Sequence, residues 1–124
     1  MTQTEDNQTF RENIVEGAVD VEWTSPAMLV VSRGPDAGSR FPLHQAVTTV
    51  GRDPRSNIFL DDVTVSRRHA EFRLEQSELQ VFDMGSLNGT YVNRQPIDWA
   101  VLTNGDQIQM GKFRLVLLIR PTTE

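Results

Sequence analysis

An all-β sandwich or barrel is the fold class this sequence predicts. Beyond residue 27 the apolar residues come in short runs of three to seven. Gly, Asn, Asp and Pro separate those runs, and no segment there has the apolar spacing of a helix. Met28 to Ser32 opens the series and leads into Arg33-Gly34-Pro35-Asp36-Ala37-Gly38, a turn by composition. Arg40 to Leu43, Val47 to Val50 and Asn57 to Leu60 follow. His69 to Leu74 alternates, with Ala70, Phe72 and Leu74 on one face and Glu71 and Arg73 on the other. Glu78 to Phe82 repeats that pattern. Gly85 to Gly89 is a glycine-bracketed turn before Thr90 to Val92. Gln107 to Met110 and Lys112 to Ile119 complete the set, with turn signals at Asn104-Gly105 and Gly111. The expected core is Leu29, Val31, Phe41, Ile58, Leu60, Phe72, Leu74, Leu79, Val81, Tyr91, Val92, Ile108, Phe113, Leu115 and Leu117.

The 124 residues suit one domain plus a tail, and 38% hydrophobic with 23% charged residues supports a packed core. Cysteine is absent, which excludes disulfides, thiolate metal sites and a cysteine nucleophile. The longest apolar run, Leu115 to Ile119, falls far short of the ~20 residues that span a bilayer. No basic stretch leading into an apolar one marks a signal peptide, so a soluble cytoplasmic protein is expected.

The net charge of -5 resides entirely in the N-terminal part, where residues 1–22 hold six acids and one base. The remainder is balanced, which argues against nucleic acid as a partner, since that needs a basic face. Lys112 is the single lysine; arginine forks onto phosphate oxygens better than lysine does. Residues 1–26 read as a flexible acidic tail with a helical tendency near 10–17, closed by Ser25-Pro26. The folded domain is expected over 27–120, with 121–124 a short C-terminal tail.

Three segments set functional groups on loops between strands. They are Gly51-Arg52, Ser66-Arg67-Arg68-His69 and Gly85-Ser86-Leu87-Asn88-Gly89-Thr90. Each alone has a plain structural reading: a common dipeptide, a solvated turn, a hairpin. In this order and spacing they resemble the signature of the forkhead-associated (FHA) domain, over about residues 27–120. The resemblance implies an FHA-type β-sandwich of two sheets with about eleven strands, and a phosphothreonine site on loops at one end.

The chemistry of the residues suits such a ligand. A phosphothreonine brings a charge of about -1.5 to -2 and three strong acceptor oxygens. Arg52 would give charge-assisted bonds to phosphate oxygens, and the Ser66 hydroxyl and Arg67 further donors. Asn88 would bond the ligand backbone. By resemblance His69 is architectural, bracing the loops; Gly51 and Gly89 answer backbone requirements. Arg68 reads as solvated or internally paired. Asp61 and Asp62 point to opposite faces of an extended chain, so no metal site is expected, and no cofactor. Leu87 departs from the family, which often has threonine there. Thr64, Val65, Asn93 and Arg94 are candidates for reading the third residue after the phosphothreonine.

Longer stretches, Asp61 to Arg73, Gly85 to Asn93 and Gly111 to Val116, resemble the small actinobacterial regulators of the GarA/OdhI type. In that group a serine/threonine protein kinase phosphorylates a threonine in an N-terminal tail, and the FHA domain then binds its own phosphorylated tail. The unphosphorylated form binds metabolic enzymes, notably 2-oxoglutarate dehydrogenase. The group's threonine pair before Phe-Arg is missing here, since Glu5-Asp6-Asn7-Gln8-Thr9 precedes Phe10-Arg11. Thr9 is the best substitute phosphoacceptor, followed by Thr4. From Thr9 to Ala27 an extended chain reaches roughly 60 Å, enough for self-docking.

A phosphothreonine-binding regulator is therefore expected, with a phosphate-independent interaction module that has lost the tail switch as the alternative. An enzyme is not expected, because His44 and His69 have no triad-like company and no phosphate loop followed by lysine occurs.

Overall fold

The structure, a computed structural model, describes residues 25–121. The acidic tail with Thr4 and Thr9, its helical tendency, and residues 122–124 lie outside the described part.

Among the described residues eleven strands form two sheets. They are β1 (Ala27–Arg33), β2 (Arg40–Leu43), β3 (Val47–Gly51), β4 (Ile58–Phe59), β5 (Ala70–Glu75), β6 (Glu78–Asp83), β7 (Thr90–Val92), β8 (Gln95–Ile97), β9 (Trp99–Leu102), β10 (Gln107–Met110) and β11 (Phe113–Ile119). One sheet has the order β2-β1-β11-β10-β7-β8 and the other β4-β3-β5-β6-β9. Every pair is antiparallel except β3 with β4. The all-β sandwich read from the sequence is thus the fold.

Period-2 alternation makes the core. Leu29 and Val31 of β1 pair with Leu117 and Leu115 of β11, all buried against Phe72, Val81 and Ile58 of the facing sheet. Most of the expected core is buried, but Phe41, Leu74 and Tyr91 are only partly so. Tyr91 stands between buried Thr90 and Val92, and adjacent strand residues face opposite sides, so Tyr91 and Val92 cannot both point inward. Leu43, Val50, Val65, Ala70, Leu102 and Met110 also join the core.

Two strands escaped the sequence reading. β8 contains Pro96, which lacks an N–H, yet it is an edge strand that pairs only with β7. β9 is likewise an edge, and its Trp99 stays exposed while stacking on Phe82 at 6.0 Å between ring centroids.

The loops divide between the two ends. The β3–β4, β4–β5, β6–β7 and β10–β11 connections bond to one another at one end. The β7–β8 turn, Asn93-Arg94, and the β9–β10 turn lie at the other, where Asn93 Nδ2 donates to Asp106 Oδ1 at 3.0 Å.

Candidate functional site

The three loop segments singled out in the sequence meet at the first of those ends. Gly51 sits where β3 leaves the sheet, and a Cβ there would overlap the Arg67 carbonyl. Glycine is therefore what lets the β4–β5 loop close onto β3. The Arg52 N–H donates to Ser66 O at 3.0 Å and the Asp53 N–H to Arg67 O at 3.3 Å, zipping the two loops together.

Arg52 is half-buried, and its Nε donates to the Val65 carbonyl at 3.1 Å. That bond fixes the guanidinium. Its terminal nitrogens have no acceptor among the described residues. The Ser66 hydroxyl accepts the Leu87 N–H at 2.9 Å, so its own proton remains available to a ligand. Asn88 Nδ2 donates to Thr64 O at 2.9 Å, which spans the two loops, and Oδ1 has no donor among the described residues. Arg67 is exposed, and its Nη2 reaches Asp53 Oδ2 only at 3.5 Å. Arg55 holds the same carboxylate at 2.8 Å. The Arg55 side chain and then its backbone N–H keep Asp53 far below the usual carboxylate range.

His69 is fully buried behind this surface. The Ser66 N–H donates to Nδ1 at 3.1 Å, so Nδ1 must be bare and Nε2 protonated. Nε2–H then donates to the Gly89 carbonyl at 2.9 Å. One neutral ring thereby ties the β4–β5 loop to the β6–β7 loop, and burial holds its pKa below the usual value. Gly89 has a φ of +88°, the left-handed region in which a side chain is strained.

Asp83 is an organising residue that motif reading missed. It accepts from the N–H groups of Gly85 and Ser86, at 3.0 and 3.1 Å, and from the hydroxyls of Ser86 and Thr90, at 2.5 and 2.7 Å. Burial pushes its pKa up, but the four donors outweigh that and the net shift is downward. The Asp-Met-Gly-Ser spacing, a carboxylate two and three residues before open N–H groups, was the available signal. Asp62 plays the same part for the other loop, accepting from the Thr64 N–H at 2.9 Å and hydroxyl at 2.5 Å.

Some expected readers of ligand sequence are elsewhere. Val65 is buried in the core, because Asp62 folds its loop back and turns Val65 inward. Asn93 and Arg94 occupy the opposite end, because β7 runs away from the site after Gly89. Thr64 is at the site, but its hydroxyl already bonds Asp62 and accepts the Lys112 N–H at 3.0 Å. In contrast, Val63 and Leu87 flank the site at 87% and 88% exposure. Arg68 lines a shallow groove with Asp53, Arg55, Glu71 and Met84. Among the described residues no three His, Cys, Asp or Glu side chains gather as a metal site, and no helix is long and apolar enough to cross a membrane.

The chain is 65% identical to the glycogen accumulation regulator GarA of Mycobacterium tuberculosis, over 92% of this chain and 70% of that one. It is 52% identical to the oxoglutarate dehydrogenase inhibitor of Corynebacterium glutamicum, over 96% of this chain and 92% of that one. An FHA domain solved in an analysis of phosphothreonine-dependent FHA domain interactions superposes with a TM-score of 0.72 at 29% identity, over 77% of this chain and 98% of that one. The family model of the FHA domain matches residues 48–111, and with such relatives on either side of it this chain belongs to the FHA domain family.

Proposed function

We propose that this chain is a phosphothreonine-binding regulator, with the domain over residues 27–120 as its reader. Arg52 carries the reading: its guanidinium is fixed through Nε, and its terminal nitrogens meet no acceptor among the described residues, beside a serine hydroxyl with a proton to give. Arg52 forks onto two phosphate oxygens, and the Ser66 hydroxyl donates to a further one. Arg67 swings from its long contact with Asp53 to add charge, and Asn88 Oδ1 accepts an N–H of the ligand backbone. On this reading the site binds and releases, as a binding module does, and among the described residues no nucleophile there has a base beside it. On this reading the protein works in the cytoplasm. Thr9, and after it Thr4, are the tail positions that a serine/threonine kinase would modify to make the ligand intramolecular.

A degenerate phosphothreonine peptide pool should bind, phosphoserine and unphosphorylated pools should bind far more weakly, and Arg52→Ala should lose at least tenfold in affinity. Equal binding of all three pools would refute the reading.

Val63 and Leu87 favour a second use of the same surface. Two aliphatic side chains left almost wholly in water beside a binding site suit contact with a partner that needs no phosphate. The name of the Corynebacterium relative makes 2-oxoglutarate dehydrogenase the partner to try. Val63→Ser with Leu87→Ser should weaken capture of that enzyme by the unphosphorylated protein, in a pull-down, and leave phosphopeptide affinity within a few-fold. Unchanged capture would exclude this role for the pair.

A further inference from the structure

The six-stranded sheet carries a second apolar cluster on the side away from the core. Met28 and Val30 of β1 pair with Leu118 and Val116 of β11, and alternation turns all four away from the sandwich. They are nevertheless buried, at 5%, 6%, 5% and 8% exposure. Side chains on the outer face of a two-layer fold should meet water. Their neighbours on that face, Arg40, Pro42, Gln107, Gln109 and Arg114, are exposed or half-buried border residues. No strand of the described residues lies across it.

We propose that the segment from Ile14 to Trp23 docks on this face as a third layer. Residues 122–124, Thr-Thr-Glu, bring no apolar side chain to it. The N-terminal segment has the matching pattern. Val19-Asp20-Val21-Glu22-Trp23 alternates apolar with acidic residues, which puts Val19, Val21 and Trp23 on one side of an extended chain. Ile14 and Val15 add apolar surface upstream. The charges are also of opposite sign: Glu16, Asp20 and Glu22 make the segment acidic, and Arg40 and Arg114 edge the patch.

Covalent linkage favours the contact. Trp23 is two residues before Ser25, which is itself buried, and β1 starts at Ala27. A tether that short holds the segment at an effective concentration in the millimolar range, so weak docking suffices. Docking also resets the tail. Only five residue steps, roughly 17 Å, then separate Thr9 from the anchored Ile14. The inference stands apart from the phosphothreonine reading, since the face is neither the Arg52 site nor one of its loops.

Tryptophan quenching tests it in the full chain. Trp99→Phe leaves Trp23 as the single tryptophan and keeps an aromatic ring against Phe82. Acrylamide should quench Trp23 with a Stern–Volmer constant several-fold below that of a free tryptophan amide. Val116→Asp on the sheet, and separately Val19→Asp with Val21→Asp in the segment, should each raise the constant to the free value and shift the emission to the red. The segment variant keeps the test decisive if Val116→Asp fails to fold. Free-like quenching in the parent overturns the proposal. So does protection that neither change relieves. Protection that disappears on dilution would assign the cover to a second copy and overturn it as well.

Discussion

His69 shows at the scale of one residue how the site is set. Its ring must accept from the Ser66 N–H and donate to the Gly89 carbonyl, which only the neutral form with Nε2 protonated can do. A proton on Nδ1 would break the first bond and place a charge in a buried site. The sign of the pH dependence follows. The unfolded chain takes up a proton with ordinary histidine affinity while the folded state resists it, so the unfolded state binds more protons in acid. This contribution to stability is complete above about pH 6.5 and is lost as the pH falls below that. Urea midpoints should therefore drop between pH 7 and pH 5 by more in the parent than in His69→Gln, which has no such titration. Parallel pH profiles would contradict a buried His69 that resists protonation in the folded state. Arg52, Ser66, Asn88 and His69 were legible as residues because motif order marks them. Asp83 was not, since a carboxylate capping its own loop has no signature beyond a two- and three-residue offset.

Among the elements, legibility followed alternation and ended where alternation was short or broken. β5 and β6 were plain because six residues of each alternate. β8 and β9 were missed because three and four edge residues, with Pro96 and exposed Trp99 among them, carry little pattern. The turn between β7 and β8 explains the misplaced Asn93 and Arg94. Both have positive φ, +49° and +72°, as a two-residue hairpin of mirror-image type requires. Asparagine accepts that conformation readily, but arginine is strained in it. Arg94→Gly should raise stability by about 1 kcal/mol in urea unfolding. Because the turn is at the end opposite the site, phosphopeptide affinity should not change. A loss of affinity would return Arg94 to the list of ligand contacts.

For the molecule as a whole, the sandwich is a rigid frame that brings four loops to one end and leaves them to bond one another. Gly51 under the Arg67 carbonyl, the Arg52 amide on Ser66, the Leu87 amide on the Ser66 hydroxyl and Asn88 on Thr64 link the loops to one another. Sequence order could identify these segments but not how they touch, because the contacts span 13 to 24 residues of chain. The outer-face cluster was hidden for a similar reason: Val30 and Val116 read simply as strand residues until their register showed which way they point.

Mapping backbone amide shifts of the full chain during titration with a phosphothreonine peptide tests the central claim most directly. The account predicts that the largest shifts fall on Arg52, Ser66, Arg67 and Asn88, and that Arg52→Ala removes them. Shifts centred on another surface, or the same shifts from the unphosphorylated peptide, would contradict it.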